Sequence, residues 1–219
     1  MNFVFSPSPI LLVISGRVGV TSGICGHFVR LIVIAYGGSR ITDPGSTSSL
    51  DVFMLIVLSG LPGVGKTTIA RGLARATGAV HIRIDSIEQA LRNRGHEVEA
   101  EGYDVGYVIA ADNLRLGRTV VADCVNPWAL TREAWRSVAS RAGVRSVDVE
   151  IVCSDVEEHR RRVESRAADI PGHQLPAWSE VRDRDYHPWT DERIVVDTTH
   201  LTVDQGVHAI LSAIGDRRC

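Results

Sequence analysis

The sequence predicts an α/β domain: a mostly parallel sheet of five strands flanked by helices. Three observations carry this expectation. From residue 54 onward, short apolar runs alternate with segments of helical periodicity, the pattern of parallel strands joined by helical crossovers. The runs "MLIVLS" (54–59) and "RTVVAD" (118–123) are continuous rather than alternating, as strands covered on both faces require. Glycines and capping residues stand where the helices should stop and start.

Taken in order, "MLIVLS" is the first strand. "KTTIARGLARAT" is a helix that Gly78 ends, and "AVHIRI" (79–84) is the second strand. "DSIEQALRNRG" reads as a helix capped by Asp85, with Glu88 three residues on and Gly95 at its end. Residues 102–117 are helical and lead into "RTVVAD". "NPWALTREAWRSVASRAG" begins on a proline signal and stops at Gly143, with Ala134, Val138 and Ala142 on one face. "SVDVEIVC" (146–153) is the fourth strand. "SDVEEHRRRVESRAAD" is a polar helix capped by Ser154 or Asp155. "IPGHQLPAW" is a loop, "RIVVDT" (193–198) the fifth strand and "TVDQGVHAILSAI" the last helix. Ligands on such sheets sit at the carboxyl ends of the strands, and Asp85, Asp123 and Thr198 all fall there.

Composition sets the outer bounds. The chain has 219 residues, 44% hydrophobic and 23% charged, with a formal net charge of -2. That is globular, without the basic field expected of a partner for long nucleic acid. Its four cysteines form no CxxC pair, which points away from zinc and from a disulfide framework. A reduced, cytoplasmic setting is expected in the absence of a convincing export signal. Residues 1–53 hold five charged side chains, Arg17, Arg30, Arg40, Asp43 and Asp51. Their apolar runs fall short of the roughly twenty residues that a membrane helix needs. The expected organisation is a low-charge extension over 1–53 and one domain over 54–215, with the functional protein starting at or near Met54.

One motif carries the chemistry. "GLPGVGKT" fits G-x-x-x-x-G-K-[ST] as Gly60, Gly65, Lys66 and Thr67, with a strand before it and a helix after it. The glycines permit positive φ, so that the backbone from Gly60 through Thr68 (Leu61, Pro62, Gly63 and Val64 lie between, Pro62 without an N–H) can curl its N–H groups around phosphate oxygens. Lys66 is expected to reach the β and γ phosphates of ATP, and Thr67 to ligate Mg²⁺. Lys66 is also the only lysine: all other cationic positions are arginine. A compact ammonium and a planar fork are not interchangeable in a tight site. The motif alone serves kinases, GTPases and motor ATPases. A GTPase would need a second lysine in its base-reading motif, and a motor ATPase a larger module. A small domain favours a kinase acting on a small acceptor.

In order and spacing, "GLPGVGKTT", "RIDSIEQAL", "VVADCVNP", "HRRRVESR" and "IVVDTT" resemble the small P-loop kinases, most nearly chloramphenicol phosphotransferase and the AAA-type small-molecule kinases close to it. Shikimate, gluconate and adenylylsulfate kinases are more distant. The resemblance covers residue 54 onward and implies the P-loop NTPase fold with a small helical lid, about 155–190. It implies that Asp85 accepts the proton of the acceptor hydroxyl; the alternative is that Asp85 only caps its helix. Asp123 resembles the acid that holds Mg²⁺, and the alternative is that it faces the acceptor. Arg162 and Arg166, four apart on one helix face, would supply lid arginines to the transferring phosphate. Thr198 falls in the segment that lines the adenine. Asn126 and Arg132 are candidates for touching the acceptor, with a capping Asn and a solvated helix position as their alternatives.

The expected activity is transfer of the γ-phosphoryl group of ATP to a hydroxyl of a small molecule. A polynucleotide or nucleotide-sugar kinase and a nucleotide-binding regulatory ATPase are the alternatives. No membrane partner is expected.

Overall fold

A computed structural model of the protein describes residues 53–216. The extension read over 1–53, apart from Phe53, lies outside the described residues. Five strands, β1 (Met54–Ser59), β2 (Val80–Arg83), β3 (Val120–Asp123), β4 (Arg145–Val152) and β5 (Ile194–Asp197), form one sheet in the order β2-β3-β1-β4-β5. All four pairings are parallel. Seven helices accompany them: α1 (Lys66–Thr77), α2 (Ile84–Arg92), α3 (Glu101–Arg115), α4 (Ala129–Arg141), α5 (Val156–Ser165), α6 (Trp178–Arg182) and α7 (Val203–Asp216). Among the described residues, no helix is long and apolar enough to cross a membrane.

The continuous apolar character of β1 has the expected cause. Met54, Ile56 and Leu58 face one layer with Ile69 and Leu73 of α1 and Val207, Ile210 and Ile214 of α7. Leu55 and Val57 face the other with Ile84, Leu114 of α3 and Trp135 and Val138 of α4. Removing both faces of one strand from water is the main apolar contribution at the centre of the domain.

Some boundaries differ from the sequence reading. The second helix starts at Ile84 and its N-cap is Arg83, not Asp85; Arg83 makes no side-chain cap. Asp85 therefore lies inside the first turn and is not spent as a cap. Asp155, not Ser154, caps α5, accepting from the Glu158 N–H. The five-residue α6 was not foreseen.

Two predicted acceptor contacts are corrected here. Asn126 follows β3 in the left-handed region (φ 52) and is fully buried. Its Nδ2 donates to Ser59 Oγ (2.9 Å) and its N–H to Tyr103 Oη (2.9 Å), so it ties the ends of β1 and β3 to α3. Arg132, on α4, is 1% exposed. Its guanidinium donates to the carbonyls of Asn126 (3.1 Å), Pro127 (3.0 Å), His187 (2.8 Å) and Pro188 (3.2 Å). It stacks 3.9 Å from the Trp189 ring centroid. Arg132 is thus a splice between the loop after β3 and the loop before β5, because five fixed donors suit a cluster of carbonyls. Sequence spacing on a helix could not show that the face it occupies is covered by residues 186–189.

Arg132→Met should lower the unfolding free energy by about 2 kcal/mol or more, because it strands buried carbonyls. Urea denaturation measures this. The folded variant should keep its nucleotide affinity within about threefold, which a ligand-contacting arginine would not.

Candidate active site

The loop between β1 and α1 turns on glycine. Gly60 has φ 143, and a Cβ there would lie 2.2 Å from the Ile151 carbonyl oxygen, so no other residue fits. Gly63 and Gly65 also have positive φ (89 and 97). Gly65 is the N-cap of α1 and gives it no side-chain cap, which leaves the first N–H groups of the helix available to an anion. Pro62, Gly63, Gly65, Lys66, Thr67 and Thr68 line one cavity of about 1500 Å³. Gly60, Leu61 and Val64 lie behind that surface and shape the loop. Lys66 is 8% exposed, and its Nζ donates to the Leu61 carbonyl at 2.9 Å. Burial holds its pKa below the ordinary lysine range, while the carboxylates of Asp123 and Asp85 act in the opposite direction.

Asp123 closes β3 and is 3% exposed. Its Oδ2 lies 3.4 Å from His81 Nε2 and 4.0 Å from Arg83 Nε, yet none of these three atoms has a hydrogen-bond partner. Burial would raise the Asp123 pKa. His81, Lys66 and the Thr67 hydroxyl together outweigh it and hold the carboxyl below its usual range. Position 83 pairs with 123 across β2 and β3, and 81 is two residues earlier on the same strand, so strand register alone gathers this group. Asp85 sits at the cavity wall with its side chain 38% exposed, and its Oδ2 is 3.8 Å from Arg83 Nη2.

Helix α5 is fastened to the glycine loop. His159 Nε2 bonds the Pro62 carbonyl at 2.9 Å, and Val163 occupies the space where a Gly63 side chain would go (2.5 Å). Burial lowers the His159 pKa; a neutral ring with its proton on Nε2 suits that carbonyl. Arg162 donates to Thr198 Oγ1 (2.9 Å), to the Thr198 carbonyl (3.0 Å) and to Glu158 Oε1 (2.7 Å). Thr198 Oγ1 in turn donates to the Val64 carbonyl at 2.8 Å. Arg162 and Thr198 thus brace the glycine loop against α5.

Arg166 differs. It follows the last turn of α5 in extended conformation and does not continue the Arg162 face. It lines the cavity, and its buried Nε and Nη2 have no partner. Burial depresses its pKa, and Asp85 is the strongest opposing charge. An uncompensated guanidinium at a cavity wall is costly unless an anion joins it.

The far side of the cavity is aromatic and polar. Tyr103 and Tyr107 of α3, Trp128 before α4, and Gln89, Asn93 and His173 line it. Tyr107 packs edge-on to the buried Trp135 at 4.6 Å. Burial pushes the Tyr103 and Tyr107 phenols above their ordinary pKa. Sequence reasoning did not single out these side chains, nor Arg83 and His81. The only signal was a pair of tyrosines four apart on one helix.

The residues present fit a nucleoside triphosphate and a divalent ion. The glycine cradle rejects side chains, α1 is uncapped, and both Asp123 Oδ2 and Arg166 hold unmet hydrogen-bonding capacity. Among the described residues, no cluster of three or more His, Cys, Asp and Glu side chains could hold a metal. A divalent ion here would need the Thr67 hydroxyl, Asp123 and phosphate oxygens together.

The family model described as "AAA domain" matches residues 55–184, more than half of the chain. A protein named "Putative adenylate kinase" from Pyrococcus furiosus is 37% identical over 73 residues, which are 32% of this chain and 39% of that one. The chain thus spans well under half the length of this relative. A solved structure of a "putative kinase" from Chloroflexus aurantiacus superposes with a TM-score of 0.61 at 21% identity, over 74% of this chain and 98% of that one. The APS kinase of Mycobacterium tuberculosis in complex with AMPPNP and APS gives a TM-score of 0.60 at 16% identity, over 74% and 98%. With its glycine loop, all-parallel sheet and matched family model, the chain belongs to the AAA domain family and has the P-loop NTPase fold.

Proposed function

We propose that the protein is an ATP-dependent phosphotransferase that moves the γ-phosphoryl group to a hydroxyl of a small molecule. One observation carries the reading. The uncapped Asp85 carboxylate and the unpartnered Arg166 guanidinium share one cavity with the mouth of the glycine loop. A base for a hydroxyl, a cation for a moving phosphoryl group and a phosphate cradle are then in one place. The cavity of about 1500 Å³ exceeds the roughly 300–1,000 Å³ of a typical single-ligand pocket, which leaves room for nucleotide and acceptor together. The APS kinase complex holds two such ligands in the same fold.

In this reading Asp85 orients the acceptor hydroxyl and takes its proton as the oxygen attacks the γ-phosphorus. The bond from that phosphorus to the β–γ bridging oxygen breaks, and ADP leaves. Lys66 and the loop N–H groups hold the charge that gathers on the phosphate oxygens, and Arg166 completes the ring from the opposite side. Thr67 and Asp123 are the residues that would hold Mg²⁺, which when bound neutralises the phosphates. Asp123 lies behind the cavity surface beside Thr67, which supports the metal role over the acceptor role. The brace formed by His159 and Arg162 keeps the loop N–H groups aimed.

The far wall supports an acceptor with a broad apolar or aromatic body. Tyr103, Tyr107 and Trp128 offer faces to stack on, and Gln89, Asn93 and His173 offer hydrogen bonds at the edges. A cytoplasmic setting is part of this reading.

Asp85→Asn should lower acceptor-dependent transfer by about a hundredfold or more while ADP affinity stays within about threefold. Nucleotide turnover left intact by this change would instead favour a regulatory ATPase. A mass-spectrometric screen should register an 80 Da gain on neutral aromatic alcohols ahead of sugar acids or oligonucleotides. Once an acceptor is in hand, Tyr107→Ala should raise its KM by about tenfold with little change in the KM for ATP.

A further inference from the structure

The segment between α5 and α6 (residues 166–177) has no regular structure and carries Pro171, Pro176 and Gly172 at φ 80. Its one carboxylate, Asp169, is gripped from two directions. Arg71 Nη2 of α1 donates to Oδ2 at 2.7 Å, and Arg83 Nη1 at the end of β2 donates to the same oxygen at 2.8 Å. All three residues line the cavity. The Arg71 leg is half exposed on both sides (46% and 44%), so screening weakens it. The Arg83 side chain is 13% exposed, so that leg is the stronger.

Arg83 stands among three carboxylates but hydrogen-bonds to only one. Its Nη2 is 3.8 Å from Asp85 and its Nε is 4.0 Å from Asp123, and Nε is buried without a partner. A guanidinium so placed gains hydrogen bonds by moving a fraction of an ångström toward Asp85 and Asp123. The bond to Asp169 opposes that movement.

We infer that Asp169 is a positioning residue: it holds Arg83 off the proposed base and metal ligand while it ties segment 166–177 over the cavity. The inference rests on the roles assigned to Asp85 and Asp123 above. With Asp169 engaged, Asp85 is free to meet a hydroxyl. With Asp169 released, Arg83 closes onto both acids, and an open cavity is an inactive one. Hydrogen bonds from Arg83 and then Arg71 keep the Asp169 carboxyl at about 2, so this latch stays charged through the neutral range and answers to ionic strength rather than pH.

Hydrogen exchange of the full chain tests the tie, with ADP binding as the control. Asp169→Asn should speed exchange of amides 167–177 by about tenfold. Asp169→Glu should restore most of the protection, Arg71→Gln should cost less than Asp169→Asn, and the ADP Kd should stay within about threefold. The Arg83 Nε–H resonance should shift in Asp169→Asn and return toward its original position in Asp169→Glu. ATP turnover should fall about tenfold in Asp169→Asn but change no further when that variant is added to Arg83→Met, since the two act through one contact. Wild-type exchange and an unmoved Arg83 resonance in Asp169→Asn would overturn the inference. So would an equal fall in turnover in both backgrounds. A protein that binds ADP but phosphorylates no acceptor defeats the proposed activity alone; the exchange and resonance readings still decide the latch.

Discussion

The site depends on burying one ammonium. Lys66 sits at the first position of α1, beneath the loop that precedes it, with 8% of its surface exposed. A charge taken out of water costs several kcal/mol unless other groups replace the solvent. Here the replacements are the Leu61 carbonyl and the fields of Asp123 and Asp85. A point charge on a narrow stem can follow the curl of the loop; a planar fork with five fixed donors would need a wider channel and more acceptors. That is a physical reason for the one departure from arginine in a chain with 23 arginines and a single lysine.

Burying Lys66 fixes where its counter-charges must stand, and those in turn gather the other cations. Asp123 lies near His81 and Arg83, and Arg83 lies near Asp85 and Asp169. The arginines then divide by what already holds them. Arg162 is consumed by Glu158 and Thr198, and Arg132 by four carbonyls. Arg166 keeps unpaired nitrogens at the cavity. Which arginine is available to a ligand is decided by its neighbours, not by the helix face on which periodicity would place it.

This explains how far the sequence could be read. The glycine loop is contiguous, so its composition and its position between a strand and a helix reveal it directly. The strands are legible because burial on both faces leaves continuous apolar runs. Asp85 and Asp123 are legible because strand ends in a parallel sheet converge. Asn126 and Arg132 were misread, because Asn126 is spent on Ser59 and Tyr103, distant in the chain, and what covers Arg132 comes from residues 186–189, a stretch with no periodicity. The bonds from Arg71 and Arg83 to Asp169 span 98 and 86 residues, and no local pattern reports contacts of that separation. The cap of α2 was misplaced by two residues, from Arg83 to Asp85, a small error that changes the meaning of Asp85: inside the first turn, its carboxylate is left for the cavity.

The two halves of the cavity are built in different ways, and this bears on how one fold can accept different compounds. The nucleotide half stands on the sheet, where any shift disturbs five strands at once. The opposite wall stands on α2, which continues β2 without a break, and on α3 and the segment around His173, which meet it through side-chain packing. Two glycines set that wall. A Cβ at Gly102 would lie 2.3 Å from Glu88 Cγ, and one at Gly106 would lie 2.5 Å from Ile84 Cδ1, so their absence lets α3 settle directly on α2. Each glycine is followed by a tyrosine, Tyr103 and Tyr107, and close packing of the helices brings both rings to the cavity. The spacing of the glycines, four residues apart, is also the spacing of the rings. A change at either glycine would push α3 outward and move an aromatic face without touching the phosphate loop. The shape of the acceptor wall can therefore vary while the chemistry at the ends of the strands stays fixed.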